Sequence, residues 1–506
     1  MAILAFVASG AQAQSFPSRT AEHRSGVLLI RLGLAAQGGE LVLRALSAVS
    51  WRAKGYRNAL EQSERPEGPW LIEDDVIEEI HDLRHGRIRQ LLTATMSPFP
   101  SFQTGFLADR EVALRLDGAA PSPGNARLLA IARETLALSP ERLLLTALAA
   151  PDLRLTQPTS LQGLAQDTVS FTLDSAPVRL YLNPYTHLPT ALDYSGPLAH
   201  SGYWAFRGDN TLRILYSSWC RYAEGIRLPL QQNIEHDGLP DTVVMIDSVR
   251  FDPPSEETLQ IGDALRRAFE KDPAAGDLDR RPLGDARRSP LALEQGVTLI
   301  PGAWNVTIVC QDDGIVIIEA PISSGYSSKV AAEAHRRCPA LPIKAVVTTS
   351  DAWPHIAGIR EYAAIGVSIY VLDLNRPIVQ RTLNAAYTWR PDRQALHPKR
   401  PHLIPVASRI TLGSGPNRLE LIPIRGETTE RQMMVWFPAH RLLYGSDGFQ
   451  KGPDGRYGPS QTVDELMDAV TREGIVPSRF YMMHTEPDPW AGLGQTLHGR
   501  LAAILH

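Results

Sequence analysis

Val346-Val-Thr-Thr-Ser-Asp-Ala-Trp-Pro-His355-Ile-Ala-Gly358 is the stretch on which the reading of this chain turns. Its β-forming start belongs to a strand from Lys344 to Thr348, and its far end opens a helix from His355 to Ile365. A strand from Val367 to Leu372 comes next, giving the strand–helix–strand rhythm of a sheet with helices on its face. The loop between strand and helix carries Asp351, Trp353 and His355, three side chains with chemistry in one short turn.

The same rhythm extends on both sides. Upstream, Trp304–Cys310 and Ile315–Glu319 read as strands joined by the turn Gln311-Asp-Asp-Gly314, followed by a helix from Ser327 to Arg337. Downstream, strands are expected at Leu419–Ile424, Met433–Phe437, Leu442–Gly445 and Phe480–His484. Thr462 and Glu465 read as a capping box before the apolar face Val463, Leu466, Met467 and Val470, in a helix ending near Gly474. Hairpins together with βα units predict an α/β fold with two sheets flanked by helices.

In this order, Gly302-Ala-Trp-Asn305, Asp313-Gly-Ile-Val-Ile-Ile-Glu319, the opening stretch, Leu442-Leu-Tyr-Gly-Ser-Asp447 and the late His484 resemble the metallo-β-lactamase-fold hydrolase superfamily over roughly residues 295–490. The resemblance implies an αββα sandwich and a metal site at the strand-to-helix turn. In that family the turn carries H-x-H-x-D-H, gathering ligands around a zinc pair that activates a bridging water. Here Ser350 and Ala352 stand at the first two histidine positions and Pro354 at the aspartate, leaving His355. The next ligand position falls near Gly426-Glu427-Thr428, while the bridging aspartate and final histidine are kept as Asp447 and His484. The implied site is an altered, mononuclear one: His355, Asp447 and His484 as metal ligands, with Asp351 or Glu427 completing the shell or acting as general base. Zinc leads among the divalent metals, with manganese and iron also compatible, and a metal-free relic is the other reading. Trp353 neighbours His355 in the implied cleft, and Arg425 and Arg431, in the charged segment 425–431, are candidates for binding an anionic substrate group.

The rest of the chain reads differently. Met1–Ala13 ends in Ala11-Gln12-Ala13 and has the apolar stretch of a secretory signal peptide without its basic start, which predicts a periplasmic or secreted protein. Residues 20–252 form a mixed α+β region, helical over Val27–Leu46 and Leu128–Leu148 and rich in antiparallel strands from about 150. Val178–Thr190 weakly resembles the strand-turn-strand units of lipoprotein-carrier-like half-barrels, which implies an acyl-chain site or a packing appendage. Residues 253–292 read as a charged linker, with a short helix at Gly262–Lys271, and 293–506 as the metallo-β-lactamase-like domain.

Composition removes several function classes. The 506 residues carry 51 Lys+Arg against 55 Asp+Glu, so no global basic field argues for nucleic acid. No apolar run reaches the roughly 18 residues of a transmembrane helix. Cys220, Cys310 and Cys338 are too few for a thiolate zinc site and allow at most one bridge. No G-x-S-x-G elbow or Walker P-loop occurs. His81-Asp-Leu-Arg-His85 lacks the glutamate of a zincin helix, and both histidines read as exposed; Gly413–Arg418 reads as a turn. Two functions follow as expectations: a metal-dependent hydrolase of an ester, amide or phosphoester, and a non-catalytic, metal-free binder of a small-molecule ligand on the same fold. Substrate and oligomeric state stay open.

Overall fold

The computed structural model describes residues 19–60, 68–96, 101–196, 204–222, 225–252, 259–272, 276–451, 455, 457–491 and 493. The expected signal peptide, Met1–Ala13, lies outside them. By internal contacts the chain divides into two units, Met1–Ala45 with Ala137–Tyr194 and Ile214–Leu230, and Leu46–Leu136 with Ser195–Arg213 and Gln231–His506.

In the first unit the helices Arg19–Gln37 and Leu143–Ala149 accompany an antiparallel meander, Arg154–Leu161, Leu164–Leu173, Ala176–Leu182 and Pro189–Gly196. Gln37, fully buried, donates its amide to the Pro140 carbonyl at 2.7 Å and ties the long helix to the segment that precedes the second.

The second unit begins with another antiparallel meander. Strand Ala48–Asn58 pairs with Leu239–Phe251 on one side and Ile72–Asp82 on the other, and Arg87–Thr95 and Phe102–Ala108 continue the order. The stretch that read ambiguously, Glu73–Leu92, is thus strand. His81 corrects the sequence expectation: it is buried, 2.7 Å from Glu79 Oε2, because β alternation turns it inward with Glu73, Asp75 and Glu79. His85 remains half-exposed beside Asp82.

From Leu291 onward, two sheets stack. Among the described residues one has the order Leu291–Glu294, Val297–Ile300, Val306–Gln311, Gly314–Ile318, Ile343–Thr348, Ser368–Leu372, His402–Val406, antiparallel in its first half and parallel in its second. The other runs Ile410–Leu412, Leu419–Pro423, Met433–Phe437, Leu442–Tyr444, Arg479–Tyr481, Asp488–Pro489. Alternate residues of each strand feed different cores. Ile315 and Ile317 meet the helices Ser324–Arg337 and Ile359–Ile365, while Val316 and Ile318 face Leu421, Val435 and Tyr444 of the other sheet. On the far side Met434, Trp436 and Leu443 pack on Val463, Leu466 and Val470 of the helix Ser460–Arg472. Three cores therefore separate four layers, helix, sheet, sheet, helix, and strands buried on both faces explain the continuous apolar runs in the sequence.

Two details differ from the sequence reading. Helix Ser460–Arg472 starts after Pro459 without a side-chain cap, and Glu465 turns away from the helix start to accept hydrogen bonds from Thr428 and Thr429. The stretch expected as a linker carries packed residues: Leu278 joins the helix-side core, Asp277 pairs with Arg390 at 2.8 Å, and Asp279 accepts the Gly325 N–H at 2.9 Å. The short helix expected there spans Asp263–Ala268. Among the described residues no helix is long and apolar enough to cross a membrane.

Candidate functional site

The stretch Val346–Gly358 crosses the end of the first sheet. Its strand stops at Thr348, the loop turns, and short helices Trp353–Ile356 and Ile359–Ile365 follow. Backbone bonds fix the turn: the Ala320 N–H donates to the His355 carbonyl at 3.1 Å, and the Gly358 N–H to the Ala320 carbonyl at 2.8 Å. His355 is thereby held fully buried at the mouth of the sheet.

Three of the expected residues come together there. Asp447 Oδ2 lies 3.3 Å from His355 Nε2, and Asp447 Oδ1 lies 3.1 Å from His484 Nε2. Asp447 follows strand Leu442–Tyr444 and His484 follows the parallel strand Arg479–Tyr481, so strand pairing sets their separation. The His484 loop is pinned by Asn305, whose amide donates to the carbonyls of Met482 (3.1 Å) and Thr485 (2.9 Å).

Glu319, for which the sequence suggested no role, completes the group. It is buried at the end of strand Gly314–Ile318, and its Oε2 is 2.7 Å from His355 Nδ1. Tyr444 donates to Glu319 Oε1 at 3.0 Å and the Thr349 hydroxyl donates to the same oxygen. Glu319 and Ser446 both adopt left-handed backbone, φ 77° and 67°, a strained state for non-glycine residues that surrounding bonds must hold. Its only sequence signal was an acidic residue ending an all-apolar strand.

The electrostatics follow from this geometry. Burial drives the His355 ring toward its neutral form, but Glu319 and Asp447 flank it and push its pKa up to about 10. Burial raises the Asp447 carboxyl, and the hydrogen bonds and charges of His355 and His484 outweigh it, holding it well below the ordinary carboxylate range.

The donor chemistry fits a cation. His484 Nδ1 sits 2.6 Å from the Ala303 carbonyl and His355 Nδ1 faces Glu319, so each ring's Nδ1–H is committed to an oxygen. In the neutral ring the opposite Nε2 then turns a lone pair toward an Asp447 oxygen, a contact that needs positive charge, a proton or a metal ion, between the atoms. Asp447 bridges two separate imidazole contacts; among the described residues no group of three or more His, Cys, Asp or Glu is arranged as a metal site.

The other expected residues are distributed as follows. Asp351 is fully buried in the same loop, with Ser350 Oγ 3.5 Å from its Oδ1. Trp353 stacks on Phe206 at 6.0 Å between ring centres and meets Trp304 at 5.8 Å, which in turn lies 6.4 Å from the His484 ring. Glu427 is exposed, and among the described residues no hydrogen bond or ion pair joins it to the three. Arg425 donates to Asp373 at 2.8 Å and to the Ala407 carbonyl at 3.0 Å, while Arg431 donates to the Leu374 carbonyl at 2.7 Å; both brace the turn after strand Ser368–Leu372.

Comparison with known proteins gives the following. No protein-family model and no curated protein matches the chain. Among solved structures, the chain is similar to the DIM-1 metallo-β-lactamase (16% identical, over 41% of this chain and 94% of that one, TM-score 0.32). It is likewise similar to a metallo-β-lactamase from Hirschia baltica (17%, over 43% and 97%, TM-score 0.32). A third is the stereoselective inverting sec-alkylsulfatase Pisa1 from Pseudomonas sp. (15%, over 44% and 40%, TM-score 0.31).

Proposed function

We propose that the chain is an exported metallo-β-lactamase-fold hydrolase with one divalent cation, zinc first among candidates, held by His355, Asp447 and His484. The observation carrying this reading is the orientation of the two imidazoles. Each has its Nδ1 tied to an oxygen behind it, Glu319 or the Ala303 carbonyl, and its Nε2 turned to the same carboxylate. That outer tie is how proteins fix a ligating histidine's tautomer and ring orientation. When bound, the ion supplies Lewis-acid polarisation of an ester, amide or phosphoester and activation of water.

The protein's own residues have separable roles in this reading. Glu319 orients His355, and Asn305 holds the loop that presents His484. Of the two carboxylates considered as general base, Asp351 shares the His355 loop, whereas Glu427 faces solvent; the role is assigned to Asp351. The Cys310–Cys338 disulfide supports the export part of the reading, because such bonds persist in oxidising compartments.

Elemental analysis of metal-replete full-length protein tests it. About one equivalent of divalent metal is expected, lost in His484→Ala, whose partly exposed side chain spares the core, and in His355→Ala if that variant folds. Turnover of generic ester and phosphoester substrates is expected to fall with it. Absence of stoichiometric metal in the folded protein overturns the proposal. That outcome selects a second reading, favoured by the two imidazoles that flank Asp447: protons take the cation's place and the protein binds a ligand without turnover.

A further inference from the structure

Arg425 and Arg431, the sequence candidates for an anion-binding charge, are both spent on the turn at Asp373 and Leu374. A different arginine stands beside the candidate site. Arg281, from the stretch expected as linker, holds its guanidinium 5.5 Å from the centre of the Trp304 ring. Its backbone is fixed, since its carbonyl accepts from Lys329 Nζ at 2.7 Å and its N–H donates to the Leu278 carbonyl at 3.3 Å. Its side chain is exposed, and among the described residues it forms no ion pair. Arg288 nearby differs in this respect: it is engaged by Asp285, Glu486 and the Gly302 carbonyl.

Trp304 links this charge to the His355–Asp447–His484 group. It meets both His484 and Trp353, and Trp353 stacks on buried Phe206, so a chain of ring contacts runs from Phe206 to His484 with the Arg281 cation over Trp304. Both tryptophans are only partly buried. An unspent guanidinium over an aromatic face is complementary to a molecule combining a negative group with a planar apolar body: the ring lies along the tryptophans and the anion takes the charge-assisted hydrogen bonds.

We propose that Arg281, Trp304 and Trp353 form the recognition wall of this site and select aromatic anions. The proposal rests on the hydrolase reading only for what happens to the ligand afterwards; recognition itself needs neither metal nor turnover.

Calorimetric titration of the full-length protein with 2-naphthalenesulfonate, its neutral analogue 2-naphthalenesulfonamide and methanesulfonate tests it. The naphthalenesulfonate is expected to bind at least about tenfold more tightly than either of the others, the size of one charge-assisted hydrogen bond. Arg281→Gln should abolish the preference over the sulfonamide, Arg281→Lys should retain part of it, and Trp304→Leu should weaken both naphthalene probes alike. Equal binding of the two naphthalene probes by the wild type, no binding of either, or a preference that survives Arg281→Gln each overturns the proposal. Metal content measured on the same samples separates the two claims. A charge preference in metal-free, inactive protein removes the hydrolase reading alone, and metal with turnover but no preference removes this inference alone.

Discussion

Glu319 Oε2 lies 2.7 Å from His355 Nδ1, and both side chains are withdrawn from solvent. A buried carboxylate and a buried imidazole stabilise the fold only as a pair, because either one alone would leave an uncompensated polar group in a low-dielectric interior. Here the pair is extended: Thr349 and Tyr444 donate to the other glutamate oxygen and Asp447 faces the far side of the ring.

Glu319→Gln should therefore act twice. Loss of the charge in a buried, hydrogen-bonded network is expected to cost about 3–5 kcal/mol, read as a lowered denaturant midpoint with unchanged slope. In protein that still folds, divalent-metal affinity is expected to drop about 10–100-fold, as for other outer partners of ligating histidines. An unchanged metal affinity in a folded variant would mean that Glu319 braces the sheet end without orienting a ligand.

Gly358 closes the stretch on which the fold depends, and it sits against the start of helix Ser324–Arg337. A Cβ there would collide with Ser327 Oγ and the Ser323 carbonyl, the residue whose hydroxyl caps that helix by accepting from the Tyr326 N–H. Gly358→Ala is expected to destabilise by about 1–3 kcal/mol through overpacking. The control is Gly163→Ala, in the other unit, where a Cβ meets nothing within 4 Å but φ is +85°, so only backbone strain is added. Gly358 itself has φ −101°, which alanine adopts without strain, so a variant as stable as the wild type would show that close packing at Gly358 contributes nothing.

Cys310 and Cys338 join the strand Val306–Gln311 to the end of helix Ser324–Arg337 across a separation of 28 residues, and Cys220 is free. Closing a loop of that length constrains the unfolded chain by about 3–4 kcal/mol. Thiol titration of unfolded protein should count one reactive group per chain before reduction and three after it. Cys338→Ser should lower the melting temperature, and a reductant should lower that of the wild type by a similar amount while leaving the variant unmoved.

The layered α/β part was legible in the sequence because its strands are short apolar runs bounded by turn residues, and its helices carry one apolar face. Strands at Leu419–Pro423 and Met433–Phe437 fall where those runs predict them. His355, Asp447 and His484 could be proposed as a group only through a resemblance of motif order; nothing in their spacing along the chain brings them together. Glu319 was overlooked because its role depends on a contact across 36 residues, and Arg281 because a dense run of charge reads as a solvated linker until packing is seen. His81 and Glu465 were misjudged for a shared reason. Local pattern suggested an exposed histidine and a helix cap, whereas burial and long-range hydrogen bonds decided both.

Glu465 supplies the pH prediction. Burial raises its carboxyl, but the Thr429 hydroxyl, the Gln461 amide and the backbone N–H groups of Thr428 and Thr429 all donate to the charged form and bring the pKa down to about 2, from an ordinary 4.5. Because the folded value lies below the unfolded one, the unfolded chain binds the proton first as pH falls. The stabilisation from this group is thus complete above about pH 5.5, declines between there and about pH 2, and is gone below it. Glu465→Gln should lose about 1–3 kcal/mol at neutral pH, since the amide cannot accept the same set of bonds. The gap between variant and wild type should then narrow through the acid range. Denaturant titrations of both proteins at pH 7, 5, 4 and 3 measure this directly; a gap that stays constant across the series would show that Glu465 matters for its shape and not its charge.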